Sequence, residues 1–121
     1  MNTLRHAKQL QDRTKGFAVR VVKAFARLPK DEPTRIVSRQ FLRSGISLAA
    51  NYRAARRARS SADFISKISV VTEEADEALF WFELLVESDL IKPAVVQPLM
   101  SECEELLKIC SASLAAAKRN R

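Results

Sequence analysis

The sequence predicts an all-α protein, an antiparallel up-and-down four-helix bundle. Three observations lead there. Only two glycines occur in 121 residues, and such a composition lacks the turn glycines that sheets need. Apolar residues recur at three- and four-residue spacing through four long segments. Short proline- and serine-containing connections separate those segments, and short connections make successive helices antiparallel neighbours. With 47% apolar residues, the chain is long enough for one domain with an ordinary core.

The first helix is expected over residues 4–28. Phe17, Val21, Phe25 and Leu28 form its spine, flanked by Ala18, Val22 and Ala24, and Pro29-Lys30-Asp31-Glu32-Pro33 stops it. The second, over 34–58, begins after Pro33 with Thr34 near its start. Val37, Phe41, Leu48, Tyr52 and Ala55 fall within about 60° on a helical wheel, with Ser44 and Asn51 at the edge. Gly45 inside this helix costs on the order of 1 kcal/mol relative to alanine, which predicts a close helix–helix approach there.

The third helix is expected over 61–88. Ser60 is placed to cap it and Asp63 to face the positive end of its dipole. Phe64, Ile68, Val71, Ala75, Ala78, Phe82 and Leu85 make its apolar stripe, and Ser88-Asp89 ends it. The fourth, over 94–117, opens at either Pro93 or Pro98. Its inward face is Leu99, Cys103, Leu106, Cys110, Ser113 and Ala117, followed by a basic tail at 118–121.

Charge is segregated along the chain. Residues 1–59 carry 15 Lys/Arg against 3 Asp/Glu, whereas residues 60–117 carry 3 against 11. The positive part resolves further on the helical wheel. Arg35, Arg39, Arg43, Arg53 and Arg57 fall within about 80° of one another, opposite the apolar face, along about 33 Å of helix. Arg56 lies to one side of this stripe and Arg59 closes it. The first helix adds Arg13, Lys15, Arg20, Lys23 and Arg27.

Arginine's planar fork matches phosphate, so the stripe points to a polyanion. Six phosphate contacts would make affinity fall with salt at a log–log slope of about −5. The candidate nucleic-acid-binding set is Arg35, Arg39, Arg43, Arg53, Arg56, Arg57 and Arg59, with Arg20, Lys23 and Arg27. A basic face also serves simply as a solvated surface, or pairs with acids of a neighbouring subunit. Exposed basic–aromatic interleaving is missing, so any RNA or DNA would be held by its backbone with weak sequence preference.

Apolar residues also occur outside the core stripes. Phe80, Trp81 and Leu84 on the third helix, and Leu42 and Ile46 within the arginine stripe, predict a homo-oligomer interface.

Catalytic and metal chemistry find little material. Cys103 and Cys110, seven apart on one helix, are separated by about 10 Å along the axis, beyond disulfide reach, and read as small core residues. His6 is the single histidine, so neither a His-based zinc site nor a Glu-x-x-His di-metal site is available. Ser44, Ser47 and Asn51 lack a histidine base, and no glycine-rich phosphate loop occurs. No enzyme activity, cofactor or small-molecule substrate is expected. Met1–Leu10 lacks an apolar leader core and no apolar run approaches a membrane span, so a cytoplasmic protein without membrane contact is expected.

The stretch Arg43-Ser-Gly-Ile-Ser-Leu-Ala-Ala-Asn-Tyr-Arg-Ala-Ala-Arg56, followed by Ser60-Ser-Ala-Asp-Phe64, resembles a known family. So do Glu73-Glu-Ala-Asp-Glu77, Trp81-Phe-Glu-Leu-Leu85 and the Leu28-Pro29-Lys30 ending of the first helix. The family is that of four-helix-bundle proteins named for reading frames inside intervening sequences of bacterial 23S rRNA genes, and the similarity covers about residues 12–114. It implies a cytoplasmic, non-enzymatic bundle, commonly a ring-like homopentamer. Distant relatives include the basic accessory protein of diversity-generating retroelements, which works with a reverse transcriptase and nucleic acid. Many relatives follow the asparagine with an acid and a glycine, where this chain has Arg53-Ala54-Ala55. The resemblance also makes Ser47 and Asn51 buried polar positions, expected to bond between helices.

Two functions therefore stand side by side. One is an oligomeric bundle that binds nucleic-acid backbone or a nucleoprotein through the arginines. The other is a scaffold module whose basic face pairs with acidic surfaces of sister subunits or of another protein.

Overall fold

Asp31, Ser60 and the Lys92-Pro93 pair decide where three of the helices begin. A computed structural model describes residues 3–121, with side chains from Arg5 onward. Met1 and Asn2, part of the stretch expected to lack a leader, lie outside the described residues. The helices are α1 Thr3–Arg27, α2 Glu32–Arg56, α3 Ser61–Glu87 and α4 Pro93–Arg119.

Helix α2 starts two residues before the sequence reading placed it. The Asp31 carboxylate accepts hydrogen bonds from the Thr34 N–H at 3.2 Å and the Thr34 hydroxyl at 2.9 Å, and Pro33 is tolerated in the first turn. The same helix ends two residues early, where Arg57 and Ala58 donate to the carbonyls of Ala54 and Ala55 and tighten the last turn. Ser60 caps α3 by accepting from the Asp63 N–H at 3.1 Å. Pro93, not Pro98, opens α4; Pro98 sits within the helix at an exposed position.

The end of α3 is a complete Schellman turn. Leu90 donates to the Leu85 carbonyl and Asp89 to that of Val86, with Asp89 in the left-handed region at φ 59°.

Each helix packs against its successor in the chain. The α2–α3 seam is the most extensive and the α1–α4 seam the thinnest. Most of the core is the one the periodicity predicts, with Phe17, Phe41 and Phe82 from three helices meeting at its centre; Ile91 and Val96 join it, while Phe25, Val37 and Phe64 are only partly buried. The Phe17–Phe82 and Phe41–Phe82 ring centroids lie 6.5 and 5.1 Å apart. Cys103 and Cys110 are free and buried in it. Where α1 begins and α4 finishes, the helices leave an open cleft of about 1110 Å³ lined by Leu10, Tyr52, Phe64 and Ile109. Among the described residues, no helix is long and apolar enough to cross a membrane.

Candidate nucleic-acid interface

Helix α2 lies between α1 and α3, and its two flanks are tied to them. On the α1 side, Gly45 meets Val21, and Arg56 donates to the Gln11 side-chain carbonyl at 2.6 Å. On the α3 side, Arg43 pairs with Glu74 at 3.3 Å and Glu77 at 2.9 Å, and also donates to the Ser44 hydroxyl. These contacts fix the outward arc of α2. Arg35, Arg39, Arg53 and Arg57 occupy its centre and are exposed, with no acidic partner among the described residues.

The stripe is thus divided. Four arginines at its centre are available to a ligand, while Arg43 and Arg56 at its margins are held by the protein's own side chains. Glu74 is buried, and its second carboxylate oxygen has no hydrogen-bond partner among the described residues, so Arg43 is its main counter-charge.

At the turn into α3, Arg53, Arg57, Arg59 and Lys67 line a recess of about 600 Å³ together with Ala50, Ala54 and Asp63. Asp63 accepts from Lys67 at 2.8 Å and from the Arg59 backbone N–H at 3.1 Å. The Lys67 ammonium first, and then that N–H, hold its carboxyl below the usual carboxylate range. Lys67 escaped the sequence reading because it belongs to the acidic part of the chain. Its i, i+4 spacing from Asp63 was the available signal.

Arg13, Arg20, Lys23 and Arg27 of α1 face elsewhere. Arg13 forms a bidentate pair with Glu102 of α4, at 2.6 and 3.1 Å, and those hydrogen bonds raise its pKa against the effect of burial. Arg20 and Arg27 follow Arg13 at seven-residue spacing and so share its α4-facing flank, with Lys23 beside them. The exposed Val19 and Val22 lie between this group and α2. Arg20, Lys23 and Arg27 are exposed but do not continue the α2 stripe.

The expected apolar interface residues also separate. Phe80 and Ile46 are exposed, 52% and 43%, whereas Leu42 and Trp81 pack largely against their own core. Leu84 is half-buried. Phe80 stacks edge-on against Trp81 with centroids 4.9 Å apart, and the buried Trp81 indole N–H has no acceptor among the described residues. Ile36, 59% exposed, is a further apolar residue on the outer surface of α2 that the sequence reading did not single out.

Ser47 and Asn51 do not bridge helices. The Asn51 amide donates to the Ser47 carbonyl at 2.8 Å and its hydroxyl at 2.9 Å, closing a link within α2 because the two residues stand one turn apart. No cluster of three or more His, Cys, Asp or Glu able to hold a metal occurs among the described residues.

Comparison with known proteins agrees with this architecture. The family described as 23S rRNA-intervening sequence protein matches residues 8–112. A crystal structure described as a protein of unknown function from the S23 ribosomal protein family of Bacteroides thetaiotaomicron VPI-5482 is similar to this chain. It is 32% identical with a TM-score of 0.82, over 90% of this chain and 97% of that one. No curated protein matches. The match spans most of the sequence and all four helices, and the chain belongs to the 23S rRNA-intervening sequence protein family.

Proposed function

We propose that this protein is a non-enzymatic, oligomeric bundle that binds nucleic-acid backbone, or a nucleoprotein, through the outward arginines of α2. The observation that carries the reading is that Arg35, Arg39, Arg53 and Arg57 stand exposed along about 33 Å of α2 and its C-terminal cap, with no acidic partner among the described residues. With Arg59 and Lys67 the face offers six cations, enough for a log–log salt slope of about −5. A ligand that also meets Arg20, Lys23 and Arg27 has to wrap around α1. Phe80, Ile36 and Ile46 supply apolar contact for a second copy of the chain in the cytoplasm.

The test is binding to RNA and DNA duplexes across a salt series, for the native chain and for a variant with Arg39, Arg53 and Arg57 changed to Glu. Loss of binding in the variant supports the reading, and equal affinity overturns it.

A second reading has one observation in its favour. Glu73, Asp76 and Glu83 of α3 are exposed and carry no ion pair among the described residues, so a sister subunit's arginines have acids to meet. In that case the charge reversals break assembly, seen by light scattering at low salt, and nucleic acid stays unbound.

A further inference from the structure

The recess at the α2–α3 turn gathers four cations around two alanines: Arg53, Arg57, Arg59 and Lys67, with Ala50 and Ala54 between them. We infer that this recess is an anchoring site for one or two adjacent phosphate groups, the point where a bound backbone is gripped most tightly. The inference rests on the polyanion reading above and deepens it.

Charge balance is the first argument. One carboxylate, Asp63, faces the four cations, and it is engaged by Lys67 and the Arg59 backbone N–H. Arg53 and Arg57 therefore keep their guanidinium forks free for an anion. Shape is the second. Alanines at positions 50 and 54 keep bulk away from the space between the arginines, so a phosphate reaches several donors together. The start of α3 adds little, because Ser61 and Ala62 do not line the recess and the Asp63 N–H is already bonded to the Ser60 hydroxyl. Side chains carry the site.

Asp63 is then a competitor for the incoming anion. A phosphate has to draw Lys67 away from a carboxylate that it contacts at 2.8 Å. Removing that negative charge without changing the side chain's size strengthens binding, whereas a site built on Asp63 as a ligand would be weakened.

Binding of inorganic triphosphate and of an RNA duplex tests the site in the full chain, with Arg57→Ala, Lys67→Ala, Asp63→Asn and Arg39→Ala compared after thermal melts confirm folding. Loss of one charge-assisted contact weakens binding by about tenfold, so Arg57→Ala and Lys67→Ala are expected to weaken both probes by that factor. Asp63→Asn tightens both. Arg39→Ala weakens the duplex alone. If neither Arg57→Ala nor Lys67→Ala changes triphosphate binding, the anchoring site is overturned, and duplex binding lost with Arg39→Ala leaves the stripe reading standing. Triphosphate held through Arg57 and Lys67 with no duplex bound supports the site and overturns the nucleic-acid reading.

Discussion

Gly45 of α2 lies against Val21 of α1 so closely that a Cβ built on it would be 3.0 Å from both Val21 methyl carbons. Val21 is fully buried, and as a β-branched helical residue it has one strongly preferred rotamer, so it yields little. The helix-propensity gain of Gly45→Ala, about 1 kcal/mol, is therefore outweighed by overpacking of about 1–3 kcal/mol, and the variant is expected to be less stable. In a Val21→Ala background the sign reverses. Gly16, where a built Cβ meets nothing within 4 Å beyond its own helix backbone and chain neighbours among the described residues, is the control: Gly16→Ala is expected to stabilise by about 1 kcal/mol. Urea unfolding of the four variants checks the set.

The Schellman turn after α3 places a non-glycine residue, Asp89, in the left-handed region. Glycine reaches that conformation without the Cβ penalty of about 1 kcal/mol. Asp89→Gly is thus expected to raise the melting temperature by a few degrees. A lower melting temperature would mean that the Asp89 side chain contributes more than its backbone conformation costs.

Arg43 separates stability from binding. Arg43→Ala leaves the buried Glu74 carboxylate without its main counter-charge and is expected to cost about 1–3 kcal/mol. Glu74→Gln on top of it should recover part of the loss, a coupling that a double-mutant cycle reads directly. If the proposed nucleic-acid binding holds, removing Arg43, which is already paired, should leave its salt slope nearly unchanged. Arg53→Ala should reduce that slope by about one.

Burial pushes the Cys103 thiol up to about 12 and Cys110 to about 11, with the acids Glu104, Asp76 and Glu102 adding to the effect at Cys103. An unfolded thiol titrates near about 8.5. Above that pH the unfolded chain releases protons that the folded one keeps, so stability falls as pH rises from about 9 toward 12. Cys103→Ala is expected to flatten this alkaline slope. At pH 8, alkylation of both thiols should be slow in the native protein and fast in urea, as mass spectrometry would show.

How much of this was legible in the sequence depends on whether one helix or two were needed to see it. Four helices and nearly the whole core follow from periodicity within single segments, as with Phe64, Ile68, Val71 and Ala75. The start of α2 is set two residues before Thr34 by the Asp31 cap, which the proline-based boundary at Pro33 does not reveal. For the candidate site, the wheel put the arginines on one face but could not distinguish Arg39 from Arg43. That distinction lies in Glu74 and Glu77, which belong to another helix. The same reason hid the direction of Arg20 and Arg27, fixed by the Arg13–Glu102 pair, and the contribution of Lys67 to the recess at the turn.

The meeting of Phe17, Phe41 and Phe82 has a kinetic consequence. Every extensive seam joins helices adjacent in the chain, so most contacts form over short loops, and such topologies assemble in microseconds to milliseconds. Phe82 is the ring that α1 and α2 both touch, and its contacts with them exist only after α3 has docked on the preceding hairpin. Docking of α3 is therefore the expected rate-limiting event. Truncating Phe82 should slow refolding, while Arg13→Ala, at the thin α1–α4 seam, should chiefly speed unfolding.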